Sequence, residues 1–171
     1  RKEPPDAIAL DATAAGRLCR RWVDVLGDLH GLDYQGCGLA DLGNPDGYVA
    51  RQVHGWSKRY RDARTGDVPD FETVMAWLNA GMPPDYSTPA LVHNDYKFDN
   101  VILDPADLTR IIGVLDWEMA TIGDPLMDLG ASLGYWVVPD DSDELKLIRT
   151  LPTLCPGMLT RRQIVALYEK N

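Results

Sequence analysis

His93-Asn94-Asp95-Tyr96-Lys97-Phe98-Asp99-Asn100 is the stretch whose reading decides the fold. It is polar and lies between two apolar runs, Leu91-Val92 before it and Val101-Ile102-Leu103 after it. A curved loop of this length can aim the Asp95 carboxylate and the Asn100 amide into one cleft. Phosphoryl transfer needs that pair: a carboxylate to orient an attacking hydroxyl and take its proton, and a nearby oxygen ligand for a divalent cation. His93 is expected to brace the loop through hydrogen bonds rather than to move protons. Taken alone, the stretch also reads as a plain polar loop with an N-capping Asp.

Downstream, Ile111-Ile112-Gly113-Val114-Leu115 is a second β-rich run, and Asp104-Pro105 with the polar residues after it supplies a turn. The two runs form a β-hairpin. The second ends in Leu115-Asp116-Trp117-Glu118, so the hairpin brings Asp116 beside Asn100. Two oxygen ligands there suit Mg²⁺, which takes one or two protein donors and completes its shell with phosphate oxygens and water. The plain alternative for Asp116 is a turn residue closing a strand. In Gly123-Asp124-Pro125-Leu126-Met127-Asp128-Leu129, Asp124 caps a helix, Pro125 takes its first position and Asp128 favours its N-terminal dipole. Asp124 and Asp128 are therefore structural supports, and one of them is placed to hold the catalytic-loop backbone. That helix is expected to carry Leu126, Leu129, Leu133 and Trp136 inward.

The rest of the chain is mainly helical. Residues 1–10 (RKEPPDAIAL) read as a charged, Pro-rich linker. Leu18, Trp22, Val25, Leu26 and Leu29 recur at helical spacing over about 12–30, and Gly31 can stop that helix. A glycine-rich loop leads to a second helix over about 45–63, with Pro45 in its first turn and Val49, Val53, Trp56 and Tyr60 as its apolar stripe. A third covers about 71–80, capped by Asp70. The last starts at Thr160, where Thr160 and Gln163 form a capping box.

The 171 residues, 45% hydrophobic and 25% charged, suffice for one globular domain. A net charge of −9 argues against a nucleic-acid partner, which would demand clustered Lys and Arg. Cys19, Cys37 and Cys155 form no C-x-x-C pair and read as idle thiols in a reducing compartment. No apolar run is long enough for a membrane span, and no signal peptide is visible. These points lead us to expect a cytoplasmic protein. Its start at Arg1 rather than Met is expected of a processed or excerpted polypeptide. The oligomeric state is left open.

HNDYKFDN resembles the catalytic loop of the aminoglycoside phosphotransferase family, within the protein-kinase-like fold, and VLDWE resembles its metal-binding segment. LVHNDYKFDNVIL and VLDWEMATIGDPLMDLG are also similar to the branch related to the kinase-like domain of acyl-CoA dehydrogenase family proteins. LHGLDYQGCGLADLG and GYVARQVHGWSKRY add to that likeness. The resemblance implies an α+β fold, the mainly helical C-terminal lobe of a kinase-like enzyme with its catalytic-loop β-hairpin. It implies Asp95 as catalytic base, and Asn100 and Asp116 as ligands of Mg²⁺ and the bound nucleotide. ATP or another nucleoside triphosphate would be the donor, and a small-molecule hydroxyl the acceptor: a hydroxyacyl-CoA-like metabolite, an aminoglycoside or an amino-alcohol. Trp117 and Glu118 stand where protein kinases have Phe and Gly, which favours a small-molecule kinase. Lys97 has two readings, a contact to the transferred phosphate or a solvated lysine.

No G-x-G-x-x-G loop and no V-A-I-K-like lysine is found. Gly36-Cys37-Gly38 comes nearest, with Asp41 in place of the third Gly. The nucleotide-binding N-terminal lobe is therefore expected outside residues 1–171, which are expected to be weak or inactive alone. A kinase-like binding or scaffold module is the competing reading. A metal-dependent hydrolase using Asp95, Asp116 and His93 is a weaker one.

Overall fold

The computed structural model describes residues 10–170, so the linker expected at the start of the chain falls almost entirely outside the described residues. Helix α1 (Ala12–His30) begins where the Asp11 carboxylate accepts the Ala14 N–H at 2.7 Å and ends at Gly31. Its apolar stripe centres the core. Trp22 is fully buried, with ring centroids 4.6 Å from Tyr96 and 5.2 Å from Trp136. Leu18, Leu26, Ile111, Leu129 and Ile164 close around it. Each such aliphatic side chain contributes about 1.5–3 kcal/mol by leaving water.

Helix α2 (Tyr48–Ala63) starts later than expected. Gly47 adopts the left-handed region with φ 66°, and Pro45 belongs to the turn before the helix, its carbonyl accepting the Tyr48 N–H. Helix α3 (Glu72–Ala80) likewise starts after a left-handed residue, Phe71, so Asp70 caps from one position further back by accepting the Glu72 N–H. The α2 stripe is only partly core. Val49 is buried, but Trp56 is 51% exposed and faces a groove of about 500 Å³ between α2 and α3.

Strands β1 (Ala90–Val92), β2 (Val101–Asp104), β3 (Asp107–Val114) and β4 (Thr121–Gly123) make two antiparallel pairs. β2 and β3 form the expected hairpin, with Val101 opposite Val114 at its base and Asp104 opposite Asp107 at its turn. The β1–β4 pair was not foreseen, because three-residue strands show no readable alternation. Helix α4 (Pro125–Gly134) starts at the Asp124 cap. Its inward face runs through Pro125, Asp128, Leu129 and Ser132, which leaves Leu126 turned away and 52% exposed, against expectation. Helix α5 (Asp143–Ile148) is a single capped turn and a half that sequence periodicity could not resolve. Helix α6 (Arg161–Tyr168) carries the full Thr160–Gln163 capping box and packs against α1. No helix among the described residues is long and apolar enough to cross a membrane. The architecture is α+β, mainly helical, with the polar loop held between β1 and the hairpin.

Candidate active site

β1 delivers the chain directly to His93, which is fully buried. The His93 ring bridges two segments: its Nδ1 lies 3.2 Å from the Asp95 backbone N–H, and its Nε2 lies 2.8 Å from the Leu115 carbonyl. An amide N–H can only donate and a carbonyl can only accept, so the ring carries its proton on Nε2. His93 thereby ties the loop to the residue that precedes Asp116. On the other side, the Asn100 carbonyl accepts the Leu115 N–H at 2.8 Å. Asp116 itself adopts φ 67°, which turns the chain out of β3 and leaves its side chain exposed.

The loop gathers three of its own side chains. The Asn100 amide nitrogen donates to both the backbone carbonyl and the Oδ2 of Asp95, each at 2.9 Å. Lys97 Nζ lies 2.8 and 2.6 Å from the two Asp95 oxygens and 4.9 Å from the centroid of the Tyr135 ring. Lys97 is therefore not the solvated lysine that one sequence reading allowed. Burial works against the Asp95 charge, but hydrogen bonds from Lys97 and Asn100 outweigh it and hold the carboxyl below the ordinary aspartate value. Burial opposes the Lys97 charge as well. Asp95 overcomes it, with Asp116 adding to the pull, so the amine sits above the usual lysine value.

The two supports differ. Asp124 caps α4 by accepting the Leu126 N–H at 2.8 Å. Asp128, fully buried, reaches the loop: its Oδ2 accepts the His93 N–H at 2.7 Å and its Oδ1 the Asn94 N–H at 2.8 Å. A carboxylate fixed by two amides holds the backbone immediately before Asp95.

A family model described as "Phosphotransferase enzyme family", APH, matches residues 3–154. The chain belongs to the APH phosphotransferase family. This chain is 39% identical over 148 residues to acyl-CoA dehydrogenase family member 11 of Homo sapiens, covering 86% of the chain and 18% of that protein. It is 33% identical over 147 residues to acyl-CoA dehydrogenase family member 10 of Mus musculus, covering 86% of the chain and 14% of that protein. Among solved structures, a candidate aminoglycoside phosphotransferase from Ralstonia eutropha superposes with a TM-score of 0.81 at 28% identity, covering 99% of this chain and 51% of that one. A macrolide 2'-phosphotransferase type I shares the fold, with a TM-score of 0.57 at 19% identity, covering 96% of this chain and 56% of that one. The chain thus spans less than a fifth of these curated relatives and about half of these solved structures. Its fold is that of the kinase-like C-terminal lobe.

Two contributors to this arrangement were missed in the sequence. The Tyr48 hydroxyl donates to Asn94 Oδ1 at 2.8 Å, while the Asn94 side-chain nitrogen donates to the Met119 carbonyl at 3.0 Å. These bonds hold Asn94 at φ 64°, a left-handed conformation that Asn tolerates well. Gly123 makes the arrangement possible, because a Cβ there would lie 2.6 Å from the Tyr48 ring. The second contributor is His30, whose only sequence signal was a basic residue in the last turn of α1. Its Nε2 lies 3.1 Å from Asp128 Oδ2.

Proposed function

We propose that the protein carrying this chain transfers the γ-phosphoryl group of ATP to a hydroxyl of a small molecule, with Mg²⁺ at the site. The observation that carries this reading is the joining of Asp95 to Asn100 and Lys97 on a loop that His93 ties to the residue preceding Asp116. Asp95 orients the acceptor hydroxyl and takes its proton as the hydroxyl oxygen bonds to phosphorus. The bond from phosphorus to the bridging oxygen breaks, and ADP leaves with the electron pair. A carboxyl held below its ordinary value stays ionised, ready for that role. Lys97 neutralises Asp95 in the free site, and once an acceptor hydroxyl takes its place on Asp95 its amine would be free to contact the transferred phosphoryl group.

The residues fit Mg²⁺. Asn100 uses its side-chain nitrogen on Asp95, which leaves its Oδ1 as an oxygen donor. The Asp116 carboxylate is exposed and accepts no hydrogen bond from the described residues. Bound Mg²⁺ would neutralise charge on the phosphate oxygens, which themselves complete its shell. Asn100 and Asp116 would hold it. We read the chain as the catalytic and acceptor lobe, with the nucleotide's Gly-rich loop on a second lobe. A hydroxyacyl-CoA-like metabolite is the first acceptor to try, since the relatives carry the acyl-CoA dehydrogenase name. Aminoglycosides and amino-alcohols come next, given the Ralstonia structure.

The test uses the full-length protein with γ-labelled ATP, Mg²⁺ and these three acceptor classes. Label should move to one acceptor. Asp95→Asn should lower kcat roughly 10²–10⁴-fold and leave nucleotide affinity little changed. Absence of transfer to every class counts against the enzyme reading, and near-normal kcat in Asp95→Asn against the base assignment.

A further inference from the structure

His30, the last residue of α1, has a side chain only 6% exposed, and the chemistry above makes no use of it. Its two ring nitrogens are both engaged. Nε2 faces Asp128 Oδ2 at 3.1 Å, and Nδ1 faces the Tyr168 hydroxyl of α6 at 2.6 Å. Because Oδ2 of the carboxylate is an acceptor, His30 Nε2 is the donor. One run of hydrogen bonds therefore leads from Tyr168 through His30 to Asp128, and from Asp128 to the His93 and Asn94 amides. The next residue is Asp95.

The geometry gives His30 a definite task. Oδ2 of Asp128 receives both His30 and the His93 N–H, while Oδ1 receives the Asn94 N–H. Carboxyl torsions are broad, so a third donor on the carboxylate narrows the orientation in which it can hold the two amides. The His30 ring is itself oriented by Tyr168, with the rings edge-on and their centroids 5.7 Å apart. We propose that His30 and Tyr168 are positioning residues for phosphoryl transfer, acting through Asp128 on the catalytic-loop backbone. The inference rests on the phosphotransferase reading above. It makes α6, which supplies none of the reacting groups, part of what sets the height of Asp95.

The test compares His30→Gln, His30→Asn and Tyr168→Phe in the full-length protein. A Gln amide nitrogen reaches the place of Nε2 and can still donate to Asp128. Asn reaches only the place of Nδ1, so it keeps the Tyr168 partner and loses Asp128. His30→Asn should lower kcat on the order of 10-fold or more, as small misplacements of reacting groups do, with KM for ATP unchanged. His30→Gln should stay close to wild type, and Tyr168→Phe should fall between them. Amide hydrogen exchange at His93 and Asn94 should quicken in His30→Asn and not in His30→Gln. The proposal is overturned if both His30 variants lose activity in step with a shared loss of Tm. It is equally overturned if neither changes exchange at those amides. Should wild-type protein transfer phosphate to no acceptor, the phosphotransferase reading fails, and the exchange data alone decide whether His30 braces the loop.

Discussion

Asp128→Asn changes one oxygen into an amino group and leaves the shape of the side chain intact. In the native protein the fully buried carboxylate accepts the His93 N–H at 2.7 Å, the Asn94 N–H at 2.8 Å and His30 Nε2 at 3.1 Å, spread over both oxygens. An Asn has one acceptor oxygen. If that oxygen faces His93 and His30, the new amino group points at the Asn94 N–H, donor against donor. A hydrogen bond to a charged group contributes about 1.5–3 kcal/mol, and a buried donor left unsatisfied costs about 1–3 kcal/mol. Removing a buried charge returns part of that cost. The net loss should be about 2–4 kcal/mol, a large share of the roughly 5–15 kcal/mol that holds a domain folded. Denaturant unfolding of the full-length protein at constant m reads it directly. Asp124→Asn is the control: Asn caps a helix about as well as Asp, so this change should stay within about 0.5 kcal/mol. A loss below about 1 kcal/mol for Asp128→Asn, or an equal loss for Asp124→Asn, would refute Asp128 as the anchor of the loop.

Asp116→Ala should weaken Mg²⁺-dependent nucleotide binding as well as turnover, unlike Asp95→Asn; calorimetric titration with ATP, with and without Mg²⁺, separates the two. Lys97→Met removes the partner that helps hold the Asp95 carboxyl low, so the acid limb of the kcat/KM profile should move to higher pH; an unmoved limb would mean that Asp95 is not the titrating base. The Arg161 guanidinium holds the Asp141 carboxyl at about 2, so their pairing stabilises the fold above the unfolded value of about 3.9 and that contribution is lost as pH falls through the folded value. Stability of wild type and Arg161→Gln, measured by urea unfolding, should therefore differ by a constant amount at neutral pH and converge toward pH 2. A gap that persists undiminished in acid would assign the effect to packing instead.

Local rules made much of this protein legible. The α1 stripe through Leu18, Trp22 and Leu26 is a helical period, the caps at Asp124 and Thr160 satisfy the first free amides of their helices, and β2 and β3 are β-branched runs around a turn. These are effects among residues a few positions apart, and they suffice to place Asp95 and Asn100 on one loop. The same hairpin accounts for Leu115, just before Asp116, bonding back to Asn100. The tertiary structure decided the rest, because it joins groups whose chain separation erases any periodic signal. Asp128 sits 98 positions from His30 and 35 from His93 along the chain, and only the packing of α1 and α4 around β1 makes them partners. Asp128 satisfied every local rule as a favourable charge near a helix start, so nothing in the sequence separated that role from holding the loop. Leu126 and Trp56 met the local pattern for core residues and stand exposed, since a helix surface is buried only where another element covers it. Local chemistry set which residues could act; long-range packing set which of them touch.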